Sequence, residues 1–168
     1  IDIGNTTISL GMFPSEPDDG FDSVPLARWT IATDAGRTAD EYLYMLKQLL
    51  EIRKMKLTDI KDASVCSVVP RLTSVFIEMF KSYFELEPLI VGPGVKTGIK
   101  ILYENTKDVG SDRIVDASAA VKIYGAPVIV VDFGTATVFD AVSKNNEYLG
   151  HYGILSVLCN VGVLCLST

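Results

Sequence analysis

Ile1-Asp2-Ile3-Gly4-Asn5-Thr6-Thr7-Ile8 and Val131-Asp132-Phe133-Gly134-Thr135-Ala136-Thr137-Val138 repeat one pattern at the two ends of the chain's α/β run. Both run apolar, Asp, apolar, Gly, polar, small, Thr, apolar. Each stands where one β-rich run ends and the next begins, with Ile8 to Phe13 after the first and Val138 to Val142 after the second, so each predicts a hairpin with a polar tip. An Asp at the end of a buried strand can hold a hydrated cation, because hard cations take carboxylate oxygens and Mg²⁺ keeps most of its waters. The Gly allows close backbone approach to a phosphate, to which successive tip amides and Thr or Asn side chains can donate. The competing reading is that Asp-Gly and Gly-Asn are common hairpin turns. A match over the whole of both stretches favours a duplicated domain, with a nucleotide held between the copies.

The segments between the echoes predict an α/β chain with mixed sheets. Leu26 to Ala32 reads as a third strand. Thr38 with Glu41 forms a capping box. Behind it Tyr42, Leu43, Leu46, Leu49 and Leu50 recur at helical spacing to about Lys54. Ala63 to Val69 is a short strand ending at Pro70, which opens a helix whose buried face is read as Val75, Phe76, Met79, Phe80 and Tyr83. Pro88 to Val91 is a further strand, followed by a turn-rich loop through Gly98. Ser111 to Tyr124 is a helix stopped by Gly125. Val128 to Asp132 is a buried β-branched strand, Lys144-Asn-Asn146 a turn, and Tyr148 the start of another strand.

Composition bounds what such a chain does. Its 168 residues allow one domain and part of another, and 48% hydrophobic residues exclude a disordered chain. A net charge of −6 argues against a nucleic-acid partner, since phosphate neutralisation needs clustered Lys and Arg. Cys66, Cys159 and Cys165 form neither a zinc spacing nor a disulfide framework, so a reduced, cytoplasmic setting is expected. The apolar stretches after Gly150 are interrupted by Ser156 and Asn160 and are too short for a membrane span, which needs roughly 20 apolar residues. Gly92-Pro-Gly-Val-Lys96-Thr97 imitates a P-loop, but Val95 stands where Gly must precede the Lys, and the reading fails. The lone His151 is assigned no chemistry.

Five motifs carry a resemblance: the Asp2-Ile3-Gly4-Asn5-Thr6 tip, Ser67-Val-Val-Pro70, Gly92-Pro-Gly-x-x-Thr-Gly98, Gly110-Ser-Asp-Arg113 and Val131-Asp-Phe-Gly-Thr-Ala-Thr137. In this order they closely resemble the bacterial type III pantothenate kinases, from Ile1 to Gly150. The resemblance implies the acetate and sugar kinase, Hsp70 and actin superfold, built from two ribonuclease-H-like domains with ATP in the cleft, and a homodimer. The chain then divides into an N-terminal ribonuclease-H-like domain, 1–124, and the start of a second, 125–168, incomplete and atypical over 151–168. The activity implied is ATP-dependent phosphorylation of pantothenate to 4′-phosphopantothenate, the first step towards coenzyme A, with Mg²⁺ and a monovalent cation, K⁺ or NH₄⁺.

Phosphoryl transfer needs positioning, charge neutralisation and a group that orients or deprotonates the attacking hydroxyl. Asp112 opens a helix, where it or Ser111 could equally serve as a cap; the resemblance makes Asp112 the catalytic base. Arg113 suits a carboxylate in bidentate geometry, with a surface ion pair to Asp116 as the plainer reading. The motif Gly110, Ser111, Asp112 and Arg113 is expected to bind substrate. Tyr103 resembles a substrate-contacting aromatic, although a core or interface tyrosine reads equally well. Asp2, Ile3, Gly4, Asn5, Thr6 and Thr7 match the family's ATP phosphate loop, with Asp2 reaching Mg²⁺ through water. Asp132 matches the monovalent-cation site, and Thr135 an ATP contact or simply a turn hydroxyl.

After Tyr148-Leu149-Gly150 the family continues with a second Gly, Ala-Ile and a Pro-Gly, whereas here His151-Tyr152 leads into a tail without Asp, Glu, Lys or Arg. Ala-Ile-Thr codons read from the third base give His-Tyr, so the tail is expected to be out of frame, and inactivity of a truncated or frameshifted chain follows as an expectation. A regulatory relative of the transcriptional accessory kind, acting through protein contacts, is the alternative function. An ATPase switch of the actin or Hsp70 kind is a third, disfavoured because the chain has no room for the extra subdomains.

Overall fold

The computed structural model describes residues 1–15, 24–92, 94–102, 109–133, 136–155 and 162–164, with backbone alone at 136, 154, 155 and 162–164. The chain forms two compact units, Ile1–Val91 and Gly92–Thr168. Each is a mixed sheet with helices, the mixed α/β class expected from the sequence. Among the described residues no helix is long and apolar enough to cross a membrane.

In the first unit β1 (Asp2–Ile3), β2 (Thr7–Met12) and β3 (Ala27–Ala32) form an antiparallel meander, and β4 (Ser64–Ser67) and β5 (Leu89–Ile90) continue the sheet in parallel. The strand order is β3-β2-β1-β4-β5. β2 alternates exposed and buried positions, with Ile8 and Leu10 inward, as a half-buried strand should.

Helix α1 (Ala39–Ile52) starts at the capping box read from the sequence: the Glu41 amide donates to Thr38 Oγ1 at 3.4 Å, and the Thr38 amide to Glu41 Oε2 at 2.8 Å. Two of the helix's otherwise unpaired amides are thereby satisfied. Its buried stripe is Ala39, Tyr42, Leu46 and Leu50, while Leu43 and Leu49 flank the core half-buried. Helix α2 (Pro70–Phe84) begins with Pro70 in its first turn, where a missing N–H costs nothing. The two helices meet through Tyr42 and Phe76, whose ring centroids lie 4.9 Å apart.

Two readings of α2 need correction. Tyr83 is half exposed and donates a hydrogen bond to Asp40 on α1, and Leu72, fully buried, takes a place on the inward face. The reason is the 3.6-residue period: Leu72, Phe76, Met79 and Phe80 align on one stripe, and Tyr83 lies at its edge, where its hydroxyl can stay wet.

In the second unit helix α3 (Ser111–Tyr124) packs on the sheet formed by β6 (Lys100–Ile101), β7 (Val128–Phe133), β8 (Ala136–Val142), β9 (Glu147–Leu155) and β10 (Gly162–Leu164), in the order β10-β7-β8-β9-β6. β7, β8 and β9 form an antiparallel meander, β6 runs parallel to β9, and β10 runs antiparallel to β7. Val109, Ile114, Ala117 and Ala120 on the helix side meet Val128, Val130, Val142 and Tyr148 on the sheet. The small Ala117 and Ala120 bring the helix axis close to the strands. Gly125 ends α3 with φ +82°, a conformation costly for any residue with a Cβ.

The two hairpins of the sequence echo both form, but not in the same register. Asp2 faces Ser9 and Ile3 faces Ile8, whereas Asp132 faces Val138 and Phe133 faces Thr137. Aligned letter by letter, the second ladder is one residue out of step, and a one-residue slip moves a side chain to the other face of the sheet. Asp2 therefore stands on the exposed side with Ser9, and Asp132 on the buried side with Val138.

Candidate active site

The acidic end of the second unit is built around the first turn of α3. Gly110 is its N-cap residue, in an extended conformation, and contributes no side-chain cap. Ser111 is buried, and Asp112 and Arg113 are half-buried beside it. Asp112 Oδ1 accepts the Arg113 amide at 2.9 Å, so part of the capping role weighed for this residue is real. A carboxylate here is also favoured by the helix dipole.

Arg113 meets a carboxylate that the sequence reading did not name. Its Nη1 lies 3.6 Å from Oδ1 of Asp140, a carboxylate on β8 that is 1% exposed. The same Oδ1 accepts the Tyr148 hydroxyl at 2.5 Å, and that hydroxyl lies 3.5 Å from His151 Nδ1. Asp132 belongs to this neighbourhood. Its carboxyl is held above the ordinary Asp range, first by burial and then by the charge of Asp112; Arg113 pulls it down, and Asp140 adds a smaller upward push.

This donor set could serve a cation at Asp132 and an anion at Arg113. Among the described residues Asp112 and Asp140 push the Asp132 carboxyl up and Arg113 pulls it down, a carboxylate-rich setting that would suit a cation close to Asp132. Among the described residues no three His, Cys, Asp or Glu side chains converge into a metal cage. A monovalent ion held there would need main-chain carbonyls or water besides Asp132.

The first hairpin forms a separate, exposed tip. Asn5, Thr6 and Thr7 are exposed and rich in hydroxyl and amide donors. Thr33 braces them: its amide donates to Thr6 O at 2.9 Å and its Oγ1 to Gly4 O at 2.7 Å. The Gly4 amide closes the turn on Thr7 O at 3.0 Å, and a Cβ at Gly4 would meet that oxygen at 3.1 Å. The turn is tight at Gly4, and Asn5, Thr6 and Thr7 offer the donors that could meet a phosphate. Asp2 is exposed next to it, on a surface suited to a cation that keeps its water shell.

The family profile of type III pantothenate kinase matches residues 1–154. The chain belongs to the type III pantothenate kinase family. A relative described as a type III pantothenate kinase, from Moorella thermoacetica, is 47% identical over 150 residues, which is 89% of this chain and 56% of that relative. The chain thus spans little more than half the length of the curated relative.

Within this kinase family chain, the residues expected from the sequence fall into three groups. Gly110, Ser111, Asp112, Arg113 and Asp132 come together around the start of α3. Asp2, Ile3, Gly4, Asn5, Thr6 and Thr7 form the first hairpin, where Ile3 is a fully buried core residue. Tyr103 and Thr135, with Gly134, lie outside the described residues. Asp140 and Tyr148 were missed. Their signal was available as an Asp inside the alternating run Val138-Phe139-Asp140-Ala141-Val142, at an inward position, although nothing in the letters named its partner. A cavity of about 580 Å³ in the first unit is lined by Leu10, Trp29, Leu50 and Phe80 among others, and includes none of the expected site residues.

Proposed function

We propose that the protein transfers the γ-phosphoryl group of ATP to the primary hydroxyl of pantothenate, giving 4′-phosphopantothenate and ADP, the first step of coenzyme A synthesis. The observation that carries this reading is the adjacent Asp112 and Arg113 at the start of α3, facing Asp132 and Asp140, in a chain of this family. Pantothenate has a carboxylate and a primary hydroxyl, and the site offers one guanidinium and one base beside each other.

Asp112 takes the hydroxyl proton. Its Oδ1 is tied to the Arg113 amide, which fixes the carboxyl plane and leaves Oδ2 for the substrate. The hydroxyl oxygen then bonds to the γ-phosphorus as the β,γ-bridging bond breaks, and ADP leaves with the electron pair. Arg113 anchors the pantothenate carboxylate through guanidinium donors other than the one held by Asp140. Asn5, Thr6 and Thr7 bind ATP phosphate oxygens, with Thr135 as a further ATP contact and Tyr103 as a substrate contact. Asp2 would hold Mg²⁺ through water and Asp132 would hold K⁺ or NH₄⁺, and these cations would supply charge that neutralises the phosphates.

We further infer the ribonuclease-H-like fold, in two copies, as the framework. Support comes from the order β3-β2-β1-β4-β5, three antiparallel strands and then two parallel ones, and from the second meander β7-β8-β9. The correspondence ends at the next strand, since β4 is parallel to β1 while β10 is antiparallel to β7. The inherited domains are taken as 1–124 and 125–168, and the working protein as a cytoplasmic homodimer.

ADP release by the purified protein, coupled to a reporter and measured with and without pantothenate, tests the function. Release that depends on pantothenate and rises with K⁺ or NH₄⁺ is expected. Release independent of pantothenate would mean a nucleotide-driven ATPase, and nucleotide binding without any release would mean a regulatory relative.

A further inference from the structure

The buried pair Asp140 and Tyr148 belongs to no part of the reaction described above, yet it touches the proposed substrate anchor. Asp140 is 1% exposed and Tyr148 fully buried. One carboxylate oxygen, Oδ1, takes both the Tyr148 hydroxyl at 2.5 Å and the Arg113 guanidinium at 3.6 Å. Burying a carboxylate costs several kcal/mol, of order, unless it is paired and hydrogen-bonded, and well-packed apolar residues often replace a buried ion pair with no loss of stability. Stability alone therefore gives little reason for an Asp among Val130, Val138 and Val142.

Arg113 adds a second anomaly. It stands in the first turn of α3, where the helix dipole disfavours a cation. A buried carboxylate opposite offsets that cost and draws the guanidinium to one place. The guanidinium is a planar fork with five N–H donors, so an attraction on Nη1 biases the orientation of the rest. The side chain stays 24% exposed, enough for its outer edge to meet a ligand.

We propose that Asp140, itself held by Tyr148, is a positioning residue that orients the Arg113 guanidinium for the carboxylate of the substrate. This rests on the pantothenate reading given above. It assigns recognition of the carboxylate, and not the phosphoryl-transfer step, to a relay from Tyr148 through Asp140 to Arg113.

Calorimetric titration of the protein with pantothenate, in the presence of a non-hydrolysable ATP analogue, tests it on Asp140→Asn, Tyr148→Phe, Arg113→Ala and the double variant Asp140→Asn with Arg113→Ala. Asp140→Asn is expected to weaken pantothenate about tenfold, equivalent to about 1.4 kcal/mol. Tyr148→Phe should act in the same direction and more weakly. The double variant should bind no worse than Arg113→Ala alone, because the relay acts only through that residue. Panthenol, in which an alcohol replaces the carboxylate, should bind Asp140→Asn and Tyr148→Phe as it binds the unaltered protein.

Unchanged pantothenate affinity in Asp140→Asn would overturn the relay, as would additive losses in the double variant or an equal loss for panthenol. If the unaltered protein binds ATP analogue but no pantothenate, the functional reading itself falls and the relay with it. Normal pantothenate binding by the unaltered protein together with an insensitive Asp140→Asn sinks the relay alone.

Discussion

Asp132 shows how much a single residue's surroundings decide. Burial and the neighbouring Asp112 hold its carboxyl above the ordinary range, so the folded protein binds that proton more tightly than the unfolded chain. Stability then falls as pH rises from the ordinary carboxylate range through the raised folded value. Asp132→Asn should therefore melt at a higher temperature than the unaltered protein at pH 7 in sodium buffer, and the difference should shrink towards zero on acidification below the ordinary carboxylate range. Adding K⁺ should raise the melting temperature of the unaltered protein only, if Asp132 holds the cation. A variant that melts lower at pH 7, or a K⁺ response shared by both, would contradict this. Gly4 makes a second prediction at this scale: Gly4→Ala places a Cβ 3.1 Å from Thr7 O and should lower stability by about 1 kcal/mol, read from urea midpoints, through crowding against that backbone oxygen.

At the scale of elements, what was legible in the sequence was what is encoded locally. The capping box at Thr38, Pro70 in the first turn of α2, Gly125 after α3 and the two hairpins each rest on residues a few positions apart, and all formed. Thr38→Ala should accordingly destabilise the protein by about 1 kcal/mol in chemical denaturation, the usual worth of an N-cap side chain. Leu72→Ala, at a fully buried site on α2, should cost about 2–5 kcal/mol by the same measurement. What escaped had no local code. β6 has two residues, too few for any period, and exists through its parallel pairing with β9. The facing of Asp132 depends on the hairpin register, which the eight-letter echo conceals because one step in pairing reverses every side chain. Asp140 likewise acquires its meaning only when Arg113 and Tyr148 arrive from other elements.

For the molecule as a whole, the first unit supplies an exposed donor-rich tip, and the second an Asp112–Arg113 pair beside the buried Asp140 and the half-buried Asp132. Family membership, shown by the match over residues 1–154, places both within the type III pantothenate kinases. The central claim is that Asp112 serves as base for phosphorylating pantothenate. Its most direct test is mass-spectrometric detection of 4′-phosphopantothenate over time, after mixing ATP, Mg²⁺, K⁺ and pantothenate with the unaltered protein or with Asp112→Asn. Product is expected from the unaltered protein, with at least a hundredfold slower formation by the variant, the usual contribution of a general base. Equal rates from the two proteins, or no phosphorylated pantothenate from the unaltered one, would contradict it.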